Sequence, residues 1–255
     1  MRKLRVGSVP YINAAPLTRW LETDEASPHV EVVYAPPSVL ARQLQARELD
    51  VALVSSVELV RRDDVRPVAD LCIGSRDAVL SVRLFCKTPL RQMRTVALDT
   101  SSLTSAALTQ ILLTRVYGIH ANYRHAAPDL DAMLGQVDAA LLIGDLGMTA
   151  AHPEVREVVD LGSAWRAYTG LPFVWALWLV NAETPDQPLA DLLRRAYQWG
   201  KAHIDALVEA ESRRTGIPHD LCERYLKQVM VYELDESLRA GLSRFLHEYA
   251  TLLER

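Results

Sequence analysis

The sequence is poor in cysteine, has no nucleotide-binding glycine loop and contains no long apolar stretch, and each shortage excludes something. Three cysteines in 255 residues, Cys72, Cys86 and Cys222, are odd in number and far apart, so neither a disulfide framework nor a C-x-x-C zinc pair is available. They read as buried apolar residues or idle thiols. No window of about 18 apolar residues occurs, so no membrane span is expected. The N-terminus, Met1-Arg-Lys-Leu-Arg-Val-Gly-Ser-Val-Pro10, passes from its positive charges straight to Gly, Ser and Pro without the apolar stretch of a signal peptide, and a cytoplasmic protein is expected. Neither sign of charge dominates: 28 basic against 32 acidic residues leave a net charge of −4. That balance gives no general attraction to phosphate backbones or anionic lipid, so nucleic acid and membrane surfaces are not expected partners. No two of the seven histidines have the i, i+4 spacing of a helical metal motif, and no metal site is expected. The G-x-S-x-G, G-x-x-x-x-G-K-[ST] and G-x-G-x-x-G motifs are all absent, and with them the usual signs of serine hydrolases, P-loop enzymes and dinucleotide binders. No cofactor is expected.

What is present is an ordinary globular composition, 49% apolar and 24% charged, long enough for two lobes. The first 60 residues repeat one unit, a β-branched run, a turn and a helical pattern. The runs are Leu4 to Val9, Val30 to Ala35 and Val51 to Val54; the helical patterns are Pro16 to Leu21, Ser38 to Ala46 and Ser56 to Arg61, with Ser38 and Ser56 as expected N-caps. Strands alternating with helices predict a mostly parallel sheet flanked by helices, with ligands beyond the carboxyl ends of its strands. The extended runs Val68 to Ile73 and Val79 to Phe85 read as a crossing to a second lobe. There the strand Thr95 to Leu98 leads into a hydroxyl-rich loop and a helix over Ala106 to Tyr117. Further strands are expected at Ala121 to Tyr123, Ala139 to Ile143 and Val155 to Leu161. The run Phe173 to Asn181 reads as the return crossing, followed by helical periodicity over Leu189 to Arg214, Asp220 to Val229 and Glu236 to Leu253.

The expected domains are therefore a discontinuous first lobe, 1–88 plus 179–255, and a second lobe, 89–178. Two α/β lobes joined by two hinge crossings, with a cleft between strand ends, form the layout of type II periplasmic-binding-protein folds. Layout alone names no function.

The loop Asp99-Thr-Ser-Ser-Leu-Thr-Ser105 lies between a strand and a helix, where free N–H groups, the helix dipole and the hydroxyls of Ser101, Ser102, Thr104 and Ser105 suit a carboxylate or phosphate. A helix cap with spare hydroxyls explains it about equally well. Ser55 and Ser56 form a second strand-to-helix junction of this kind, and two anion sites point to a ligand with two carboxylates. Asn13, in the proline-bracketed Pro10-Tyr-Ile-Asn-Ala-Ala-Pro16, either reaches the cleft or closes an Asx-turn. Gly144 and Asp145 follow a buried-looking strand, with Asp145 either near the cleft or capping the next helix. The aromatic run Phe173-Val-Trp175-Ala-Leu-Trp178 suits a core more than a ring-stacking site.

Four ordered motifs, Val6-Gly-Ser-Val-Pro-Tyr-Ile-Asn-Ala-Ala-Pro-Leu17, Asp50-Val-Ala-Leu-Val-Ser-Ser-Val-Glu58, Leu142-Ile-Gly-Asp145 and Thr169-Gly-Leu-Pro-Phe-Val-Trp-Ala-Leu-Trp178, resemble the chorismate dehydratases of the futalosine route to menaquinone. The likeness runs nearly end to end. The first motif is shared in part with the sister 1,4-dihydroxy-6-naphthoate synthases, which look to rely on a histidine base; none of the motifs here offers one, and this favours the dehydratase. The resemblance implies a hydro-lyase that converts chorismate, a small dicarboxylate, to 3-[(1-carboxyvinyl)oxy]benzoate in the cleft by cofactor-free stepwise elimination. It further implies that Asn13 holds the enolpyruvyl carboxylate or the leaving hydroxyl, and that Ser81 matches a family serine that contacts substrate. The competing class is a non-catalytic cytoplasmic binding protein for a small dicarboxylate.

Overall fold

The computed structural model describes residues 2–185 and 187–254; the lobe assignments expected for Met1, Asp186 and Arg255 lie outside the described residues. In chain order the strands are β1 (Leu4–Ser8), β2 (Val30–Tyr34), β3 (Val51–Ser55), β4 (Val65–Ser75), β5 (Arg83–Cys86), β6 (Thr95–Asp99), β7 (Asn122–Ala126), β8 (Ala139–Leu142), β9 (Glu157–Asp160), β10 (Phe173–Asn181) and β11 (Met230–Glu233). The helices are α1 (Ala15–Thr18), α2 (Pro37–Gln45), α3 (Glu58–Arg61), α4 (Leu103–Ile111), α5 (Leu130–Leu134), α6 (Gly144–Thr149), α7 (Leu161–Thr169), α8 (Gln187–Ala202), α9 (Ile204–Thr215), α10 (His219–Arg224) and α11 (Glu236–Leu253).

These elements form where residue type demands them. The run Val51–Ser55 is buried throughout, as a central strand covered on both faces must be. In α8 the buried residues Leu189, Ala190, Leu193, Ala196, Tyr197 and Gly200 recur at three- and four-residue spacing and make one apolar stripe.

The chain divides into two compact units. The first takes residues up to Gly74 together with Val174–Asp235, and the second takes Ser75–Phe173 together with residues from Glu236 on. In the first, a six-stranded sheet has the order β11-β4-β10-β3-β1-β2. Strand β1 runs parallel to β2 and β3, while β10 is antiparallel to β3. In the second, a five-stranded sheet has the order β7-β6-β8-β5-β9. Here β6 runs parallel to β7 and β8, and β5 is antiparallel to β8 and β9. Both sheets are therefore mixed. Strand β5 follows the chain's first passage between units and β10 straddles its second, at Phe173–Val174.

The unit boundaries differ from those expected. Residues 83–86 belong to the second unit because Leu84 pairs with both Leu141 and Val159, and 174–178 belong to the first because Ala176 to Trp178 pair with β3. Helix α11 also belongs to the second, so the chain passes between units three times, not twice. Long-range packing decides this. Phe245, fully buried, meets Phe173 edge-on at 4.9 Å and Trp165 at 6.3 Å. A side chain of that size contributes about 1.5–3 kcal/mol by leaving water. The buried carboxylate of Glu248 accepts from Tyr168 Oη at 3.2 Å and Arg244 Nε at 2.9 Å, and Arg115 lies 3.6 Å away.

Local readings also shift. Pro36 and Val57 occupy the cap positions of α2 and α3, so Ser38 and Ser56 cap neither. The run expected as one helix from Leu189 to Arg214 is interrupted at His203. Leu80 to Val82 is bent, not extended, and strand begins only at Arg83. The helix expected from Ala106 starts three residues earlier and widens into a π-turn over Leu112–Val116, before Gly118 turns the chain at a φ of 64°. The three cysteines are buried, and burial pushes the Cys86 thiol up to about 12, which leaves it inert. Among the described residues no helix is long and apolar enough to cross a membrane.

Candidate active site

In the first unit β1 and β3 are parallel, so their carboxyl ends share the sheet edge at which α/β folds bind ligands. Asn13 sits on a 3₁₀ turn, Ile12–Ala14, just beyond β1. Its Nδ2 donates to Tyr225 Oη at 3.1 Å, and its Oδ1 is buried without a hydrogen-bond partner. That leaves no Asx-turn, which would occupy Oδ1. Ser55 and Ser56 lie at the same edge, both buried. The Ser56 hydroxyl donates to Val174 O at 2.7 Å and its N–H to Trp175 O at 3.2 Å. Ser56 thereby stitches β3 to β10, and its hydroxyl proton is already used. Phe173, Trp175 and Trp178 are buried, in keeping with a core run.

In the second unit β6 and β8 are parallel, and their carboxyl ends gather every remaining candidate. Ser102 is the N-cap of α4: its Oγ accepts from Ser105 N at 3.2 Å and lies 3.0 Å from Ser105 Oγ. Thr104 and Ser105 are buried in the first turn. The loop is thus a capped helix start with coupled hydroxyls, and the positive end of the helix dipole lies behind it. Gly144 opens α6 with a φ of 62°, a conformation that favours glycine. Ile143 holds the cap position, so Asp145 stands inside the first turn and not at the cap. Ser81 reaches this edge because β5 is antiparallel to β8, with Arg83 opposite Leu142.

Three residues that sequence reasoning missed hold this arrangement. Asp160 accepts from Val79 N at 3.0 Å, Leu80 N at 2.7 Å and Ser163 N at 3.0 Å, which pins the bend before Ser81 where Leu80 has a φ of 62°. A non-glycine residue in that conformation is costly and needs such a clamp. Gly147 in α6 lies under Ser81: a Cβ there would stand 2.2 Å from Ser81 O and 2.8 Å from Leu142 O. Asp99, 1% exposed, accepts from Ser101 N at 2.7 Å and Ile143 N at 3.2 Å, tying the serine loop to the start of α6. Of these only Gly147 left a sequence signal, a lone glycine within a helical stretch. Asp99 and Asp160 close contacts across 44 and 80 or more residues, which no local pattern reports.

Burial raises the Asp99 carboxyl above the ordinary carboxylate range, partly offset by the N–H groups of Ser101 and Ile143. A carboxyl raised on folding contributes stability that is full below its unfolded pKa and is lost as pH rises through the folded one. Asp99→Asn removes that dependence and leaves one of the two N–H groups without an acceptor, at a cost of about 1–3 kcal/mol. The gap in melting temperature between wild type and Asp99→Asn should therefore narrow as pH rises above the ordinary carboxylate range. A gap that widens contradicts this account. Among the described residues no group of three or more His, Cys, Asp or Glu side chains is gathered to hold a metal.

Residues 4–251 match the family described as menaquinone biosynthesis. A chorismate dehydratase of Thermus thermophilus is 34% identical, covering 96% of this chain and 94% of that protein. Among solved structures, a protein of Archaeoglobus fulgidus superposes with a TM-score of 0.77 at 18% identity, covering 99% of this chain and 98% of that one. A Candida albicans gene product described as having the generic periplasmic binding protein fold superposes with a TM-score of 0.70 at 12% identity, covering 100% of this chain and 92% of that one. The fold is that of the periplasmic binding proteins.

Proposed function

The chain belongs to the menaquinone biosynthesis family, and from that premise we propose that it is a chorismate dehydratase, a hydro-lyase that forms 3-[(1-carboxyvinyl)oxy]benzoate in the futalosine route. Chorismate is a small dianion with an unsaturated ring. Its dehydration removes the ring C3 proton and the C4 hydroxyl, and aromatisation supplies much of the driving force.

The observation that carries the residue assignment is Asn13 Oδ1, a buried acceptor without a donor. A carboxylate has no proton to offer and is repelled by such an oxygen, whereas a hydroxyl donates to it. Asn13 accordingly takes the C4 hydroxyl, not the enolpyruvyl carboxylate. Accepting that hydrogen turns the hydroxyl's lone pairs outward, ready to receive the proton with which it departs as water. The elimination is stepwise: loss of the C3 proton sends charge through the conjugated diene onto the ring carboxylate. The capped start of α4, with Ser102, Thr104 and Ser105, is suited to bind that carboxylate as charge builds on it. Ser81, Gly144 and Asp145 shape the same edge, and Ser55 and Ser56 shape the edge that carries Asn13. The enolpyruvyl carboxylate of the substrate lies beside the C3 hydrogen and serves as the base; the carboxylic acid so formed gives that proton to the departing C4 hydroxyl, one water leaves, and the protein contributes geometry and exclusion of water. Three buried thiols suit a reducing compartment, in keeping with a cytoplasmic enzyme.

The test offers the protein chorismate and cyclic dehypoxanthinyl futalosine side by side. Aromatic product from chorismate alone is expected. Product from the second substrate alone would assign the sister naphthoate synthase activity, and binding of chorismate without turnover would assign a binding protein.

A further inference from the structure

Asn13 donates to Tyr225, and nothing in the reaction as set out above uses that tyrosine. Tyr225 is 1% exposed and opens a single π-turn, Tyr225–Val229, between α10 and β11. Such a turn is an uncommon insertion into a helix and recurs at functional sites. Here it brings a buried phenol within 3.1 Å of an amide 212 residues away.

A carboxamide has two nearly isosteric faces, an acceptor oxygen and a donor nitrogen, and rotation by half a turn exchanges them. A phenol can serve either face, so what Tyr225 supplies is an anchor: Nδ2 rests on it and Oδ1 is left without a partner. We propose that Tyr225 is the positioning residue of the active site: its Oη, hydrogen-bonded to Asn13 Nδ2, anchors the amide and so holds Oδ1 in place toward the departing hydroxyl. The proposal rests on the assignment of Asn13 to that hydroxyl. Without the Tyr225 oxygen the amide loses that anchor and can turn between its two orientations. In the reversed one the NH₂ group meets the substrate hydroxyl, donates to its lone pairs and blocks the proton that must arrive there.

The test is Tyr225→Phe, which keeps the ring and removes one oxygen. With chorismate as substrate, kcat should fall about 10- to 100-fold, the scale of one misplaced catalytic hydrogen bond, while KM changes by less than about threefold. Melting should remain cooperative. The control that a purely structural role would not satisfy is the double variant: in an Asn13→Ala background Tyr225→Phe should cause no further loss, because its effect acts through the missing amide. Substitution of Tyr225 by 3-fluorotyrosine keeps the packing and weakens the oxygen as an acceptor, so an intermediate loss of kcat is expected even if the phenylalanine variant folds poorly. Wild-type kcat in Tyr225→Phe alongside collapsed turnover in Asn13→Ala overturns the role of Tyr225 and leaves that of Asn13 standing. An additive loss in the double variant also overturns it. Undiminished turnover in Asn13→Ala removes the Asn13 assignment itself.

Discussion

Asn13→Ala leaves a folded protein whose turnover of chorismate is lower by about 10²- to 10³-fold, the effect of deleting one preorganised group that acts on the reacting atoms. Two features make so large a kinetic loss compatible with an intact fold. The amide oxygen has no partner in the protein, so its removal relieves a buried unsatisfied acceptor instead of creating one. The nitrogen's bond to Tyr225 is a single hydrogen bond, with a net contribution of about 0.5–1.5 kcal/mol. These terms oppose each other, and the melting temperature should move by only a few degrees. Asn13→Leu fills the same volume without any polar atom and should lose turnover equally. Steady-state kinetics with thermal melts of both variants check the prediction; near wild-type kcat in either one removes Asn13 from the mechanism.

Gly147→Ala should lower stability by about 1–3 kcal/mol, the cost of overpacking a filled interior, and reduce kcat about 10- to 100-fold. The sign is diagnostic. Alanine is better than glycine in a helix by about 1 kcal/mol, and Gly147 lies within α6 without a left-handed backbone. Propensity alone therefore predicts a more stable protein. Packing predicts the reverse, because the new methyl would stand 2.2 Å from Ser81 O, a backbone atom that cannot rotate away. Relief requires the bend at Val79–Ser81 to move, and Asp160 holds that bend through two backbone N–H groups. Displacement of Ser81 follows. Gly135→Ala is the control: its Cβ would meet nothing closer than 3.4 Å, and it should be neutral or slightly stabilising. Calorimetry and steady-state kinetics on the pair decide between propensity and packing; a stabilised and active Gly147→Ala contradicts the placement of Ser81 against α6.

The parts of the fold legible in the sequence are those that local chemistry determines. Strands β1, β3, β6 and β8 announce themselves as β-branched or apolar runs, and their carboxyl ends carry the polar residues singled out at once: Asn13, Ser55, Ser102 and Asp145. What was not legible depends on partners distant in the chain. Helix α11 is legible at its full length but its unit is not, because its membership rests on Phe245 meeting Trp165 and Phe173 and on Glu248 meeting Tyr168. Strand β11, four residues between two helical runs, is too short for an alternating pattern to stand out. Ser56 looked like a cap because serine prefers that place; the carbonyl of Val174, 118 residues away, claimed its hydroxyl instead. The family resemblance pointed to Asn13 and Ser81 and the loop reading took in the stretch that Asp99 opens, but nothing local marked Tyr225 or Asp160, or the holding role of Asp99.

The most direct measurement follows the purified protein with chorismate alone by ultraviolet absorbance and proton NMR. The account predicts loss of the ring diene and stoichiometric appearance of a meta-substituted benzoate that retains its enolpyruvyl ether. Chorismate that stays unchanged while bound to the protein would contradict it.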